Sequence, residues 1–203
     1  MMSIVGSKSG SSNSFPHSEG SFWQISLHQR SVLQNVVIAA GASGLIALFA
    51  PVSIPLPFSP VPLATQLHVI LFLSVLLGSQ RAVFAVIGFL IQAAWGLPVL
   101  AGAKVLITAG PTFGYLIGYV FAAFTTGLMV ERFRVKTSLN LFASMAIGNL
   151  IAYLCGALWL STFVGLKSAI LYGVLPFLAG DFLKIIISLK ALKALRFYIT
   201  PST

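Results

Sequence analysis

The chain has 203 residues, of which 58% are hydrophobic and only 7% charged, with 12 Lys and Arg against 3 Asp and Glu. A soluble domain carries roughly 25% charged residues, so these charges cannot cover a water-facing surface and the composition is that of a polytopic membrane protein. On a soluble chain the net charge of +9 would suggest nucleic acid; here it marks the cytoplasmic face, and no nucleic-acid partner is expected.

Residues 1–20 are rich in Ser and Gly without an apolar run and read as a disordered cytoplasmic tail. Residues 21–30 (SFWQISLHQR) mix aromatic, apolar and basic groups, fitting an interfacial helix or an extension of the helix that follows. A six-helix membrane domain is expected over 31–196, closed by a short tail, 197–203. Its first helix, about 31–50, carries small residues at Ala39, Ala40, Ser43, Gly44 and Ala47. That spacing admits close helix approach, by a partner protein or by a helix of the same chain.

Residues 51–62 (PVSIPLPFSPVP) hold half of the chain's 10 prolines, too many for a helix. Irregular backbone at membrane depth is tolerated only when packed in protein or lining a cavity, so this segment reads as a lid or cavity wall, or else as an ordinary exterior loop. A second helix covers about 63–77, a basic turn 78–81 (GSQR), and a third helix about 82–95. Residues 96–111 (GLPVLAGAKVLITAGP) are apolar but broken by Gly and Pro, which predicts a second semi-buried loop. A fourth helix runs about 112–130, a basic loop 131–136, a fifth helix about 138–164, and a sixth about 172–195, after a short connection containing Lys167.

Six spans place both termini on one side. Lys8, Arg30, Arg81, Arg132, Arg134, Lys136, Lys190, Lys193 and Arg196 fall on that side, and only Lys104 and Lys167 on the other. The positive-inside rule makes the first side cytoplasmic. The two irregular loops then share the outer half with Asp181 and Lys184, in the sixth helix. Asp181 is the only aspartate; three residues apart, the two charges lie on one helical face. Charges inside a span mark a functional site by default, and the competing reading is a mutual ion pair that locks the helix. A carboxylate and an ammonium in an apolar pocket suit a small ligand with both donors and acceptors.

The chemistry of catalysis is missing: there is no phosphate loop, no HExxH motif, no paired carboxylates, and the lone Cys155 has no disulfide partner and no nearby histidine. His68 reads as a helix-packing or pocket-wall residue. No enzyme activity, metal or cofactor is expected.

Three motifs, in order, carry a family resemblance: SIPLPFSPVP (53–62) followed by Gln66; GLPVLAG (96–102) with GPTFGYLIG (110–118); and GVLPFLAGDFLK (173–184). With Tyr153, Gly156 and Trp159-Leu160, the chain from about 37 to 192 resembles the BioY family, the biotin-capturing S components of energy-coupling-factor (ECF) vitamin transporters. The resemblance implies an all-α, six-transmembrane-helix S-component bundle with irregular outer loops, in the bacterial cytoplasmic (inner) membrane.

It further implies that Asp181 and Lys184 contact biotin, Asp181 accepting from the ureido N–H groups and Lys184 donating to a biotin oxygen. Gln66, Thr65, Trp95, Gly102 and Tyr115 are the further expected ligand-binding residues, with Phe113 another candidate for the aromatic wall. Pro55, Pro57, Phe58, Pro60 and Lys104 belong to the lid loops. The family has no ATPase of its own, which implies an ECF scaffold subunit and two ATP-binding subunits as partners, docking at Ala40 and Gly44; some members are thought to act without them. Two departures stand out. Ala64-Thr65-Gln66-Leu67 replaces a typical Thr-Leu-Gln-Thr, and Lys104 sits where small residues are usual. An S component for another small vitamin or biotin precursor, or a structural membrane subunit, remain the alternatives.

Overall fold

The computed structural model describes residues 31–102, 110–133 and 137–199, with side chains described as far as 195. The expected N-terminal tail, the interfacial segment, Lys104, residues 134–136 of the expected 131–136 loop and the final residues lie outside the described residues.

Helix α1 (Val32–Phe49) opens with a capping box, in which Ser31 and Gln34 each accept the other's backbone N–H. Pro51 follows its last turn, and the chain enters a short antiparallel hairpin of β1 (Ser53–Ile54) and β2 (Leu63–Ala64), with Ser53 opposite Ala64 and Ile54 opposite Leu63. This pairing is not foreseen from the sequence. It is two residues long because Pro55, Pro57, Pro60 and Pro62 remove the N–H groups a longer ladder needs.

Helix α2 (Gln66–Leu77) begins three residues later than expected and is the most enclosed, packing against α1, α3 (Ser79–Ala94), α4 (Phe113–Arg132), α5 (Ser138–Val164) and α7 (Leu175–Ile199). The expected four-residue basic turn is a single residue, Gly78 with φ of 83°. Arg81 therefore stands inside α3 and donates to Asn35 Oδ1 at 2.9 Å. Glu131 makes this tight break possible. Its carboxylate accepts from the Ser79 backbone N–H (2.8 Å) and hydroxyl (2.7 Å), which places an anion at the start of α3.

The expected sixth helix, about 172–195, is α7, and the expected connection containing Lys167 is itself a short helix, α6 (Leu166–Gly173), which meets α7 at Val174. Pro176 is the cause of the break between them. It has no N–H for the Tyr172 carbonyl four residues back, and its ring crowds that oxygen. The Phe177 N–H turns to the Val174 carbonyl instead, at 3.0 Å. Together α6 and α7 form one apolar run, Leu166–Leu195, so the described residues contain four membrane-length apolar segments and two shorter apolar helices, α2 and α3.

The bundle is held most closely between α4 and α5. Small residues recur every fourth position on both: Gly114, Gly118 and Ala122 on one, Gly148, Ala152 and Gly156 on the other. A Cβ added at Gly148 would stand 2.1 Å from Thr126 Oγ1, and one at Gly156 2.2 Å from the Tyr115 ring. Backbones at this separation gain dispersion contacts that lipid tails do not supply.

Candidate functional site

The break at Pro176 leaves two carbonyls without helical partners, and both are taken from elsewhere in the chain. Ser59 Oγ, from the Pro-rich hairpin, donates to the Tyr172 carbonyl at 2.7 Å. The Tyr115 hydroxyl donates to the Gly173 carbonyl, also at 2.7 Å. The hairpin is thus tied down on one side of a pocket and an α4 tyrosine is fixed as another wall. Both ties need the helix to be interrupted where it is.

The pocket between them has a cavity volume of about 40 Å³, is partly open to solvent, and is lined by Val61, Pro62, Leu63, Ala64, Leu67, His68, Tyr115, Tyr119, Tyr153, Phe177 and Asp181. That is far below the roughly 300–1,000 Å³ common for small-molecule sites, so the walls must part to admit a ligand of that class. The composition is that of such a site: aliphatic and aromatic walls around a few polar atoms.

Asp181 is 5% exposed, and its carboxylate is the polar centre. The Tyr153 hydroxyl donates to Oδ2, as does Asn149 Nδ2 at 3.4 Å. Asn149 and Tyr153 are four residues apart on α5 and present one face to the carboxylate. Lys184 Nζ donates to Oδ1 at 3.2 Å and to the Ala64 carbonyl at 2.9 Å. The ammonium therefore bridges α7 to the hairpin as well as pairing with Asp181. His68 Nε2 stands 3.7 Å from the same Oδ1. A carboxylate desolvated this far persists only with such donors.

Gln66 is buried beside this cluster and donates to the Tyr119 hydroxyl at 3.0 Å, while its Oε1 has no partner. Asn149 Oδ1 and both His68 ring nitrogens are also buried without partners. Unpaired buried polar atoms are costly, and their concentration around one pocket fits a ligand that supplies donors and acceptors. Among the described residues no group of His, Cys, Asp and Glu is placed to hold a metal ion.

The profile of the BioY family matches residues 21–200. The chain belongs to the BioY family. It is 34% identical over 163 residues to a biotin transporter BioY of Rhizobium etli, covering 75% of this chain and 87% of that one. A biotin transporter BioY of Thermotoga maritima is 34% identical over 170 residues, covering 81% and 95%. The fold matches a crystal structure of the S-component for biotin from an ECF-type ABC transporter, with a TM-score of 0.75 and 25% identity, over 83% of this chain and 95% of that one. The all-α membrane bundle is therefore an S-component fold, and the BioY family is a family of transport components, not of enzymes.

Within this BioY fold the expected site residues separate into three groups. Asp181, Lys184, Gln66 and Tyr115 come together at or beside the pocket. Thr65 precedes α2 and its N–H donates to the Val52 carbonyl at 3.3 Å; Gly102 donates to the Pro51 carbonyl, also at 3.3 Å. Both brace the hairpin base, and neither lines the pocket. Trp95 is 81% exposed, in a groove between α1 and α3, and is not part of the wall. Phe113 packs on Trp159 with ring centres 5.5 Å apart. The aromatic wall is instead Tyr115, Tyr119, Tyr153 and Phe177.

Of the lid residues, Pro55, Pro57, Phe58 and Pro60 form the exposed tip, while Val61–Ala64 supply the wall. His68 is the pocket-wall residue of its two readings. Asn149, Tyr119 and Phe177 were not singled out from sequence; for Asn149 the available signal was a polar residue four positions from Tyr153 in an apolar helix. The small stripe of α1 divides between two faces. Ala39 and Ser43 are buried, and Ser43 accepts from Gln92 Nε2 at 2.6 Å, whereas Ala40 and Gly44 face outward with open space around Gly44.

Proposed function

We propose that this protein captures biotin from outside the cell and delivers it to the cytoplasm as the substrate-binding component of an ECF-type transporter. The observation that carries the reading is the buried Asp181 carboxylate facing an aromatic pocket under the hairpin, in a chain of the BioY family. Asp181 accepts from the ureido N–H groups, and Lys184 exchanges its bond to the Ala64 carbonyl for a biotin oxygen. Val61–Ala64 close over the ligand. Gln66 supports the wall through Tyr119.

The hairpin end faces outward and both termini face the cytoplasm of the inner membrane. The reading is supported by Arg81, Arg132, Lys190 and Lys193, which all belong to the end away from the hairpin. The outward face of α1 at Ala40 and Gly44 admits a helix of an ECF scaffold subunit, which carries two ATP-binding subunits. Membrane lipid covers the remaining apolar surface.

The Asp181–Lys184 contact at 3.2 Å also favours a second reading, in which the pair only fixes helix packing. Equilibrium binding of labelled biotin to detergent-purified protein separates the two. Saturable binding displaced by desthiobiotin and weakened in Asp181→Asn and Lys184→Ala supports biotin capture. Binding to no biotin-like compound, with stability lost in both variants, leaves the packing reading.

A further inference from the structure

His68 is the one residue of the pocket wall whose side-chain polar atoms are all unspent. It lies on α2 and is 4% exposed, and neither ring nitrogen has a hydrogen-bond partner. Nε2 is 3.7 Å from Asp181 Oδ1, beyond the roughly 2.7–3.2 Å of an N–H···O bond. Three donors around it are engaged: the Tyr115 hydroxyl on the Gly173 carbonyl, the Tyr153 hydroxyl on Asp181, and Lys184 on Asp181 and Ala64. The Tyr119 hydroxyl accepts from Gln66 and makes no bond to the imidazole. Leu67, Val69 and Ile70 beside it on α2 are apolar. A leucine at 68 would pack there without the desolvation cost. An imidazole buried unsatisfied against a pocket is best explained by a partner that arrives with the ligand.

We propose that His68 is a specificity-determining residue that donates its N–H to the carbonyl oxygen of a cyclic urea. The inference rests on the biotin reading above and adds to it the group that reads the ureido oxygen. Above the ordinary imidazole value of about 6.5, a histidine carries one N–H and one lone pair, so either tautomer has a donor to give. The donor on His68 and the acceptor on Asp181 are adjacent, and the two lie on different helices facing one pocket. A urea edge presents the complementary order, a carbonyl oxygen beside an N–H. One edge of the ring therefore meets both groups at once, and the apolar walls accept the rest of the molecule.

The test compares biotin with 2-thiobiotin, whose ureido oxygen is replaced by sulfur, a weaker acceptor. Binding is measured at pH 8 on the full chain in detergent, for wild type, His68→Leu and His68→Gln, with thermal unfolding as the check on folding. Wild type is expected to prefer biotin by roughly tenfold. His68→Leu is expected to bring that preference close to unity through weaker biotin binding, and His68→Gln, which keeps an N–H, to retain most of it. A folded His68→Leu with the wild-type preference overturns the assignment. So do equal affinities of the two ligands for wild type, whether or not the leucine variant folds. Wild-type protein that binds no biotin overturns the transport reading together with this one, whereas intact biotin binding with an unmoved preference overturns His68 alone.

Discussion

The α4–α5 seam and the contact of α7 with the body of the bundle are built from different materials. Along the seam, glycine and alanine at every fourth position bring two backbones together, and large side chains such as Tyr115 and Trp159 lie across the glycines. Helix α7 touches the bundle along one narrow stripe, Phe177, Asp181, Ile185 and Leu192. One of the four buried among its described residues is a carboxylate held by hydrogen bonds from α5 and by Lys184. In lipid the hydrophobic effect does not draw helices together, so the seam depends on close packing and α7 depends substantially on polar contacts. The pocket borders the second of the two contacts, where Phe177 and Asp181 of α7 form part of its wall.

Substitutions can break this contrast in graded steps. The largest effect is expected in the seam. Gly156→Leu drives a side chain into the Tyr115 ring and should cost about 3 kcal/mol or more, read as loss of monodisperse protein and a lower Tm in detergent. Next comes the polar contact. Asp181→Asn puts an amide where donors converge and should weaken biotin binding about 100-fold, close to 3 kcal/mol, with a smaller change in Tm than the seam variant. An equal loss of stability in both would remove the distinction.

Lys184→Ala opens the bridge from α7 to the hairpin and should lower biotin affinity about tenfold by the same titration. Ser59→Ala removes the tie to the Tyr172 carbonyl and the local bond that Ser59 Oγ accepts from the Val61 N–H; biotin dissociation should quicken about threefold with little change in association, measured by ligand chase. The smallest effect within the chain is expected at the outward face of α1. Gly44→Leu should leave stability within about 0.5 kcal/mol and biotin binding unaltered, while co-purification with a scaffold subunit is lost.

The parts of the site legible in the sequence were those that violate membrane composition. Asp181 and Lys184 stood out as charges in an apolar run, and the prolines of 51–62 marked an irregular wall. Tyr115 and Gln66 entered through resemblance and fall at or beside the pocket. Trp95 illustrates the opposite outcome. Nothing in the residues around it distinguishes a pocket-facing tryptophan from a lipid-facing one, because α3 meets apolar surroundings on both sides. The stripe on α1 reads in sequence as one face and is two, Ala39 and Ser43 inward, Ala40 and Gly44 outward. His68 was visible as a wall residue, but its unsatisfied nitrogens are a property of its neighbours.

Composition, charge placement and motif order determined by themselves that this is a polytopic membrane protein of the BioY family, and which two charges need an explanation. Those signals survive without coordinates because water, lipid and helix geometry impose them residue by residue. The tertiary structure alone decided which aromatic residues wall the pocket, which carbonyls the break at Pro176 releases, and how Ser59 and Tyr115 take them up. The physical reason is that lipid and protein interior select the same apolar side chains. The direction each helix face takes is set by packing between helices, and packing is a property of pairs of segments far apart in the chain.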